Sequence, residues 1–174
     1  MRFDFCPGCG EKLELRLIGD EGKVPFCVQC DRPFFPFSYP CVICLCVAED
    51  NDVLLIKQSY GIIRYVCVAG YIAEGESAEE AAGREISEET GLETLDIRYL
   101  YSRYFEKHDN LMLAFACRVK KAEPALSGEV SEARWFPPEE AYEALFEGAY
   151  GRDMLKKWAE LTGNTKLAGG GDEL

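Results

Sequence analysis

The chain is predicted to fold as an α/β/α sandwich, a mixed sheet packed between helices, behind a small N-terminal ribbon built on cysteine knuckles. Three observations carry that prediction. Two Cys-x-x-Cys pairs open the chain, Cys6-Pro7-Gly8-Cys9 and Cys27-Val28-Gln29-Cys30. Aliphatic and β-branched runs then lie on both sides of one Glu- and Ala-rich helical segment. Two further helical segments follow the last of these runs, so the sheet has helices for both of its faces. With 174 residues, 48% of them hydrophobic, there is material for one sizeable core and a small appendage.

The ribbon is assigned residues 1–37. Its knuckles are 17 residues apart, a spacing that suits four thiolates turned toward a tetrahedral zinc ion. Pro7 and Gly8 favour the tight turn of the first knuckle, and Gly10 tolerates the backbone that follows. Lys12 to Ile18 alternates, with Leu13, Leu15 and Leu17 on one side, as a strand of a ribbon hairpin does. A redox pair or disulfides are the competing reading of these cysteines. Two paired knuckles without an export signal favour zinc on Cys6, Cys9, Cys27 and Cys30. The segment has too little apolar content to fold unaided, so the metal would supply folding free energy. Pro33-Phe34-Phe35-Pro36 closes it as a stiff aromatic link.

Residues 38–162 are assigned to the larger domain. Strands are expected at 41–48, 52–58, 65–69, 95–105, 110–120 and 131–136. Cys41 and Cys44 form a third Cys-x-x-Cys by pattern, but on a strand residues three apart point to opposite faces and cannot share an ion. With Cys67 and Cys117 they are expected as small core residues. Ser77-Ala78-Glu79-Glu80 has the form of a capping box, and Gly91 supplies a C-terminal stop, which fixes a helix of about four turns. Ile86, Ala78, Ala81 and Ala82 are its packing face. Pro137-Pro138 opens a helix over 138–146, and an amphipathic helix is expected at 151–162. Residues 163–174 are read as a flexible Gly-rich tail. The final Gly-Asp-Glu-Leu hints at a retention signal, a reading that fails without a signal peptide.

Charge and hydropathy narrow the function classes. A formal charge of −12 argues against a general nucleic-acid binder, which needs a basic face. It does not exclude anionic substrates, because bound dications invert the local field. No apolar run approaches the roughly 18 residues a membrane helix needs, and the N-terminus lacks a signal-peptide succession. A cytoplasmic protein with no membrane partner is therefore expected.

The chemistry concentrates between Gly70 and Leu92. Glu85, Glu88 and Glu89 stand at i, i+3 and i+4, so three carboxylates project from one helix face. Like charges at that spacing repel unless something positive sits among them. Arg84 is one cation, which also reaches Glu88 at i+4, and one guanidinium does not neutralise three carboxylates. Oxygen ligands of this kind suit magnesium or manganese, and bound dications serve phosphoryl chemistry. A solvated acidic helix face is the plain alternative, against which the cap before the helix and the glycines around it weigh.

This segment resembles the signature of the Nudix hydrolases: Gly, five residues, Glu, seven residues, Arg-Glu, an aliphatic residue, any residue, Glu-Glu, any residue, Gly and a final aliphatic residue. Gly70, Glu76, Arg84, Glu85, Ile86, Glu88, Glu89, Gly91 and Leu92 match every fixed position. The resemblance covers roughly residues 39–160 and implies the same sandwich. A zinc ribbon directly before such a domain is similar to the NADH pyrophosphatase branch. So are Ala69-Gly70-Tyr71, Leu111-Met112-Leu113-Ala114-Phe115 and the run from Glu129 to Phe136. That branch's specificity motif, Ser-Gln-Pro-Trp-Pro-Phe-Pro-any-Ser, is replaced here by Ser102 to Asn110, where Ser102 matches and Phe105 stands in for Trp.

What the resemblance implies is hydrolysis of a nucleoside diphosphate linked to another group, as in NAD(H) or ADP-ribose, with release of a nucleoside monophosphate. Glu85, Glu88 and Glu89, with the Gly70 carbonyl, would hold the magnesium or manganese ions. Arg84 would orient the carboxylates and Glu76 would brace the loop. Glu129 is a further metal ligand, the general base, or a surface glutamate at a strand end. Tyr71 stacks on a substrate ring or packs on the sheet, and Phe105 is a weaker candidate for the same pocket. His108 is a solvated loop histidine or a base. The branch also implies a homodimer and an NAD-capped RNA end as a second substrate. A reading from another class is a non-catalytic regulator that binds a nucleotide or RNA end through the same fold and ribbon.

Overall fold

The computed structural model describes residues 3–163, so the tail expected at 163–174 lies outside the described residues apart from Gly163. Two compact units are present. The smaller ends at Tyr39 and also takes in Glu106–Asn110, a segment that a boundary at 37/38 assigns to the larger domain. The larger comprises Pro40–Phe105 and continues from Leu111.

The smaller unit is a three-stranded sheet of β1 (Glu14–Leu17), β2 (Lys23–Cys27) and β3 (Arg32–Pro33), in that order. Its core is small: Cys6, Cys27 and Phe34 are buried, with Phe3 and Leu13 packed on them. β1 is exposed at every position, which leaves Leu15 and Leu17 in solvent. Val24 and Phe26 of β2 are buried too, but a sheet this thin gives only a small interior.

In the larger unit the described strands form a mixed seven-stranded sheet, in line with the sequence expectation. Its path runs β10 (Val130–Phe136), β5 (Val53–Gln58), β4 (Tyr39–Val47), β9 (Asn110–Val119) and β8 (Thr94–Phe105). Two short strands lie off that path. β6 (Tyr65–Val66) pairs with β5, and β7 (Val68–Tyr71) pairs with β4. The single strand expected at 65–69 is thus two, because the run changes partner at Cys67.

Alternation along β4 sorts the core into two layers. Val42, Cys44 and Cys46 pack with Ala81, Ala82 and Ile86 of α1 (Ala78–Thr90). Ile43, Leu45 and Val47 pack with Ala141 of α2 (Pro138–Ala144) and with Met154 and Leu155 of α3 (Tyr150–Thr162). Helices therefore cover both faces of the sheet. Of the four cysteines expected in the core, Cys44 and Cys117 lie in the first layer and Cys67 in the second, while Cys41 is buried outside both clusters; Cys46 joins the first layer as well. Burial raises the Cys67 thiol to about 12, which suits a structural cysteine rather than a reactive one. α2 ends at Ala144, two residues short of expectation, because Leu145 is extended. Among the described residues no helix is long and apolar enough to cross a membrane.

Candidate active site

α1 is fixed at both ends by its own sequence. The Ser77 hydroxyl accepts from the Glu80 backbone N–H at 3.2 Å, and the Glu80 carboxylate accepts from the Ser77 N–H at 2.8 Å. At the other end Gly91 adopts φ +67° and its N–H donates to the Ser87 carbonyl, 2.9 Å. A Cβ there would stand 2.9 Å from that of Ala125, so both conformation and space call for glycine. With Ala81, Ala82 and Ile86 on the sheet, the carboxylates are set along the flank at graded depths. Glu89 is only 5% exposed, whereas the side chain of Glu88 is 59% exposed and that of Glu85 14%.

Arg84 ties this flank to the preceding loop. Its Nε and Nη2 grip the two Glu76 oxygens at 2.7 and 3.0 Å, a bidentate pair. Nη1 donates to Glu85 at 2.8 Å and to Glu88 at 2.9 Å, while Nη2 also reaches the Tyr71 carbonyl, 2.9 Å. Glu76 in turn accepts from the Ala73 N–H at 2.9 Å. One guanidinium thus holds the end of β7, the loop and two of the three carboxylates. Its charge is spent on Glu76, Glu85 and Glu88, and none of these hydrogen bonds reaches Glu89.

Glu89 is left with an electrostatic problem. Its Oε2 is buried with no hydrogen-bond partner among the described residues. Burial raises its carboxyl to about 7, assisted by the charges of Glu85, then Glu129 and Glu88. A buried acceptor facing three more carboxylates favours a cation. Close by, the Glu85 carboxyl lies where a Gly70 side chain would be: a Cβ on Gly70 would fall 2.0 Å from its carboxyl carbon. Gly70 is thereby required for Glu85 to approach β7. The orphaned oxygen, the acidic surroundings and the all-oxygen donor set fit a hard dication. The carboxylates are not drawn together in threes within 4.8 Å, as the knuckle thiols are. Arg84 draws Glu85 and Glu88 toward itself and away from Glu89.

The four knuckle sulfurs all lie within 4.8 Å of one another. Cys6 and Cys30 are 3.8 Å apart, Cys9 and Cys27 3.5 Å. The sulfurs of Cys9, Cys27 and Cys6 push the Cys30 thiol up to about 12, as crowding of four thiols at one point does. Two knuckles presenting four thiols to one point fit a closed structural zinc site.

The remaining expected residues fall into place unevenly. Glu129 is close enough to Glu89 to raise its carboxyl, and its backbone carbonyl accepts from the Ser59 N–H at 2.8 Å. Tyr71 ends β7 with its side chain exposed, and pairs in register with Cys41. Phe105 packs edge-to-face on Tyr150 of α3, ring centroids 5.8 Å apart, so it lies with the helical layer opposite α1. His108 belongs to a short 3-10 turn, Glu106–His108, in the smaller unit. Sequence reasoning missed Tyr60. The Ser59 N–H bond to the Glu129 carbonyl sets Tyr60 next to Glu129 along the fold, and partial burial, then the charges of Glu129, Glu89 and Glu85, raise its phenol. Its available signal was an apolar Tyr60-Gly61-Ile62-Ile63 sitting in a turn between two strands.

Comparison with known proteins fits this geometry. The NUDIX domain model matches residues 38–158. The NAD-capped RNA hydrolase NudC of Vibrio parahaemolyticus is 28% identical over 156 residues, 88% of this chain and 58% of that protein. Its counterpart in Photobacterium profundum is 29% identical over 164 residues, 93% of this chain and 60% of that one. The chain thus spans somewhat under two thirds of the length of these curated relatives. A crystal structure of a NUDIX hydrolase from Nitrosomonas europaea superposes with a TM-score of 0.74, covering 92% of this chain and 94% of that one. At 22% identity that likeness speaks for the fold alone.

Proposed function

The chain belongs to the NUDIX domain family, and from that premise we propose that it is a magnesium- or manganese-dependent pyrophosphohydrolase. Its substrate would be a nucleoside diphosphate joined to a second group, NAD(H), ADP-ribose or an NAD-capped RNA end, and a nucleoside monophosphate would be released. The names of the curated relatives and the intact carboxylate set support that reading together. The observation that carries it is the buried, unpartnered oxygen of Glu89 among the charges of Glu85, Glu88 and Glu129.

Glu85, Glu88, Glu89 and the Gly70 carbonyl would hold the dications. Bound there, they supply charge neutralisation on the diphosphate and a water made nucleophilic at neutral pH. The chain's own part is positioning. Arg84 fixes Glu85 and Glu88 in direction, and Glu76 locks Arg84 against the loop. Glu129, whose charge bears on Glu89, would take the proton of the attacking water or serve as a further ligand. Tyr71, exposed at the end of β7, is available to a ring of the substrate. The knuckle cysteines Cys6, Cys9, Cys27 and Cys30 would carry structural zinc. The ribbon (1–37) and the hydrolase domain (38–162) are proposed as the two domains of the chain.

The test is a panel of NADH, ADP-ribose, dinucleoside polyphosphates and NAD-capped RNA, with and without magnesium, read by chromatography of the products. Metal-dependent release of AMP or of a 5′-monophosphate end is expected. No product from any substrate with metal present would overturn the reading in favour of a nucleotide-binding module.

A further inference from the structure

We propose that the turn Ser59–Arg64 is a substrate clamp, in which the Tyr60 ring packs on the planar ring of the nucleotide whose diphosphate the α1 carboxylates engage. This rests on the hydrolase reading above and adds to it a specificity-determining residue outside the signature segment.

The turn joins β5 to β6 and is anchored beside the carboxylates at its start. The Ser59 N–H donates to the Glu129 carbonyl at 2.8 Å, and its hydroxyl donates to the Gly128 carbonyl at 2.9 Å. Gln58 pairs in register with Val130 of β10. These bonds place the next residue, Tyr60, at Glu129, whose charge also bears on Glu89. The far end is held as well. The Arg64 guanidinium lies 3.7 Å from the centre of the Phe146 ring, and the Tyr65 hydroxyl donates to Glu132. Between those anchors Gly61 takes φ +73°, which turns the chain sharply.

The tip has no core to pack on. Tyr60 is 56% exposed, Ile62 72% and Ile63 59%. An exposed apolar turn that starts at Glu129, next to the α1 carboxylates, suits an occupant that is anionic at one end and flat and apolar at the other. A nucleotide diphosphate has that division: its phosphates belong with the dications, and its neutral ring suits an aromatic face. A bare pyrophosphate would use only the carboxylates. Glu129, whose carbonyl holds the preceding Ser59, disfavours an anionic group at this turn, so the ring and not the phosphate is the partner.

The experiment compares wild type with Tyr60→Ala, Tyr60→Phe and the double variant Ile62→Ser/Ile63→Ser, each checked by circular dichroism. Steady-state kinetics are measured with NADH and ADP-ribose in magnesium, and binding of both is measured by calorimetry. For Tyr60→Ala we expect KM and Kd to rise by about tenfold or more while kcat stays within about threefold, with Tyr60→Phe close to wild type. Losses for both ligands mark the adenine as the clamped ring, and a loss confined to NADH marks the nicotinamide. Unchanged KM and Kd in folded Tyr60→Ala would overturn the clamp even if turnover is normal. Should the wild type bind these nucleotides without hydrolysing them, weakened binding by Tyr60→Ala still supports the clamp while the hydrolase reading falls. A folded wild type that binds neither nucleotide overturns the clamp too.

Discussion

Replacing Glu89 with Gln keeps the side chain's volume and removes a charge from a position that is 5% exposed. In the metal-free protein this carboxyl is raised from 4.5 to about 7 by burial and by its acidic neighbours. A carboxyl whose folded pKa is raised contributes stability that is fully present below the unfolded value and is lost as pH climbs through the folded one. The window is therefore about pH 4.5 to 7, and the loss across it is about 3 kcal/mol at roughly 1.4 kcal/mol per factor of ten. The buried amide of the Gln variant carries its own cost of about 1–3 kcal/mol for unmade hydrogen bonds, so absolute stability at high pH changes little. The slope is the surer signature. Urea unfolding followed by Trp135 and Trp158 fluorescence, both in the larger unit, gives ΔG at pH 5, 6, 7 and 8 without magnesium or manganese. Relative to wild type, Glu89→Gln should flatten the pH dependence by about 2–3 kcal/mol between pH 5 and 8. Added manganese should stabilise the wild type at pH 8 and leave the variant almost unmoved. Coincident slopes, or equal stabilisation by manganese, would refute the reasoning.

The other expectations separate chemistry from folding. Gly70→Ala forces a methyl to within 2.0 Å of the Glu85 carboxyl carbon. That flexible end can swing away, so unfolding should shift by less than about 1 kcal/mol while kcat falls about a hundredfold; retained kcat would sink the placement of Glu85. Gly91→Ala meets a left-handed backbone and the Ala125 methyl, and should destabilise by about 1–3 kcal/mol with kcat nearly unchanged in the folded fraction. Elemental analysis of the purified protein should find a single zinc per chain that Cys27→Ser abolishes, and zinc retained by that variant would contradict the four-thiol site.

Much of the site was legible because its parts are local in sequence. The capping box, the Gly91 stop and the i, i+3, i+4 glutamates all lie within one helix, where spacing dictates which side chains share a face. The four knuckle cysteines were legible for the same reason. Depth was not legible: nothing in the spacing says that Glu89 is buried while Glu88 is exposed, since that depends on how Ile86 packs on the sheet and how the loop at Ala125 bonds Thr90. Nor did the sequence reveal that Arg84 turns its paired hydrogen bonds on Glu76 more fully than on the carboxylates it was expected to orient. Phe105 was read by alignment with a motif, and its place against Tyr150 depends on how β8 ends beside α3. Tyr60 reaches the site only through the pairing of β5 with β10, a contact between residues more than 60 positions apart in the chain.

Crystals grown in manganese, with anomalous data collected at the manganese edge, test most directly whether α1 holds dications. An anomalous peak at about 2 Å from oxygens of Glu85, Glu88 and Glu89 is the expected result, with the Glu89 oxygen now coordinated. Density for those three side chains with no peak among them, at manganese concentrations that support turnover, would contradict it.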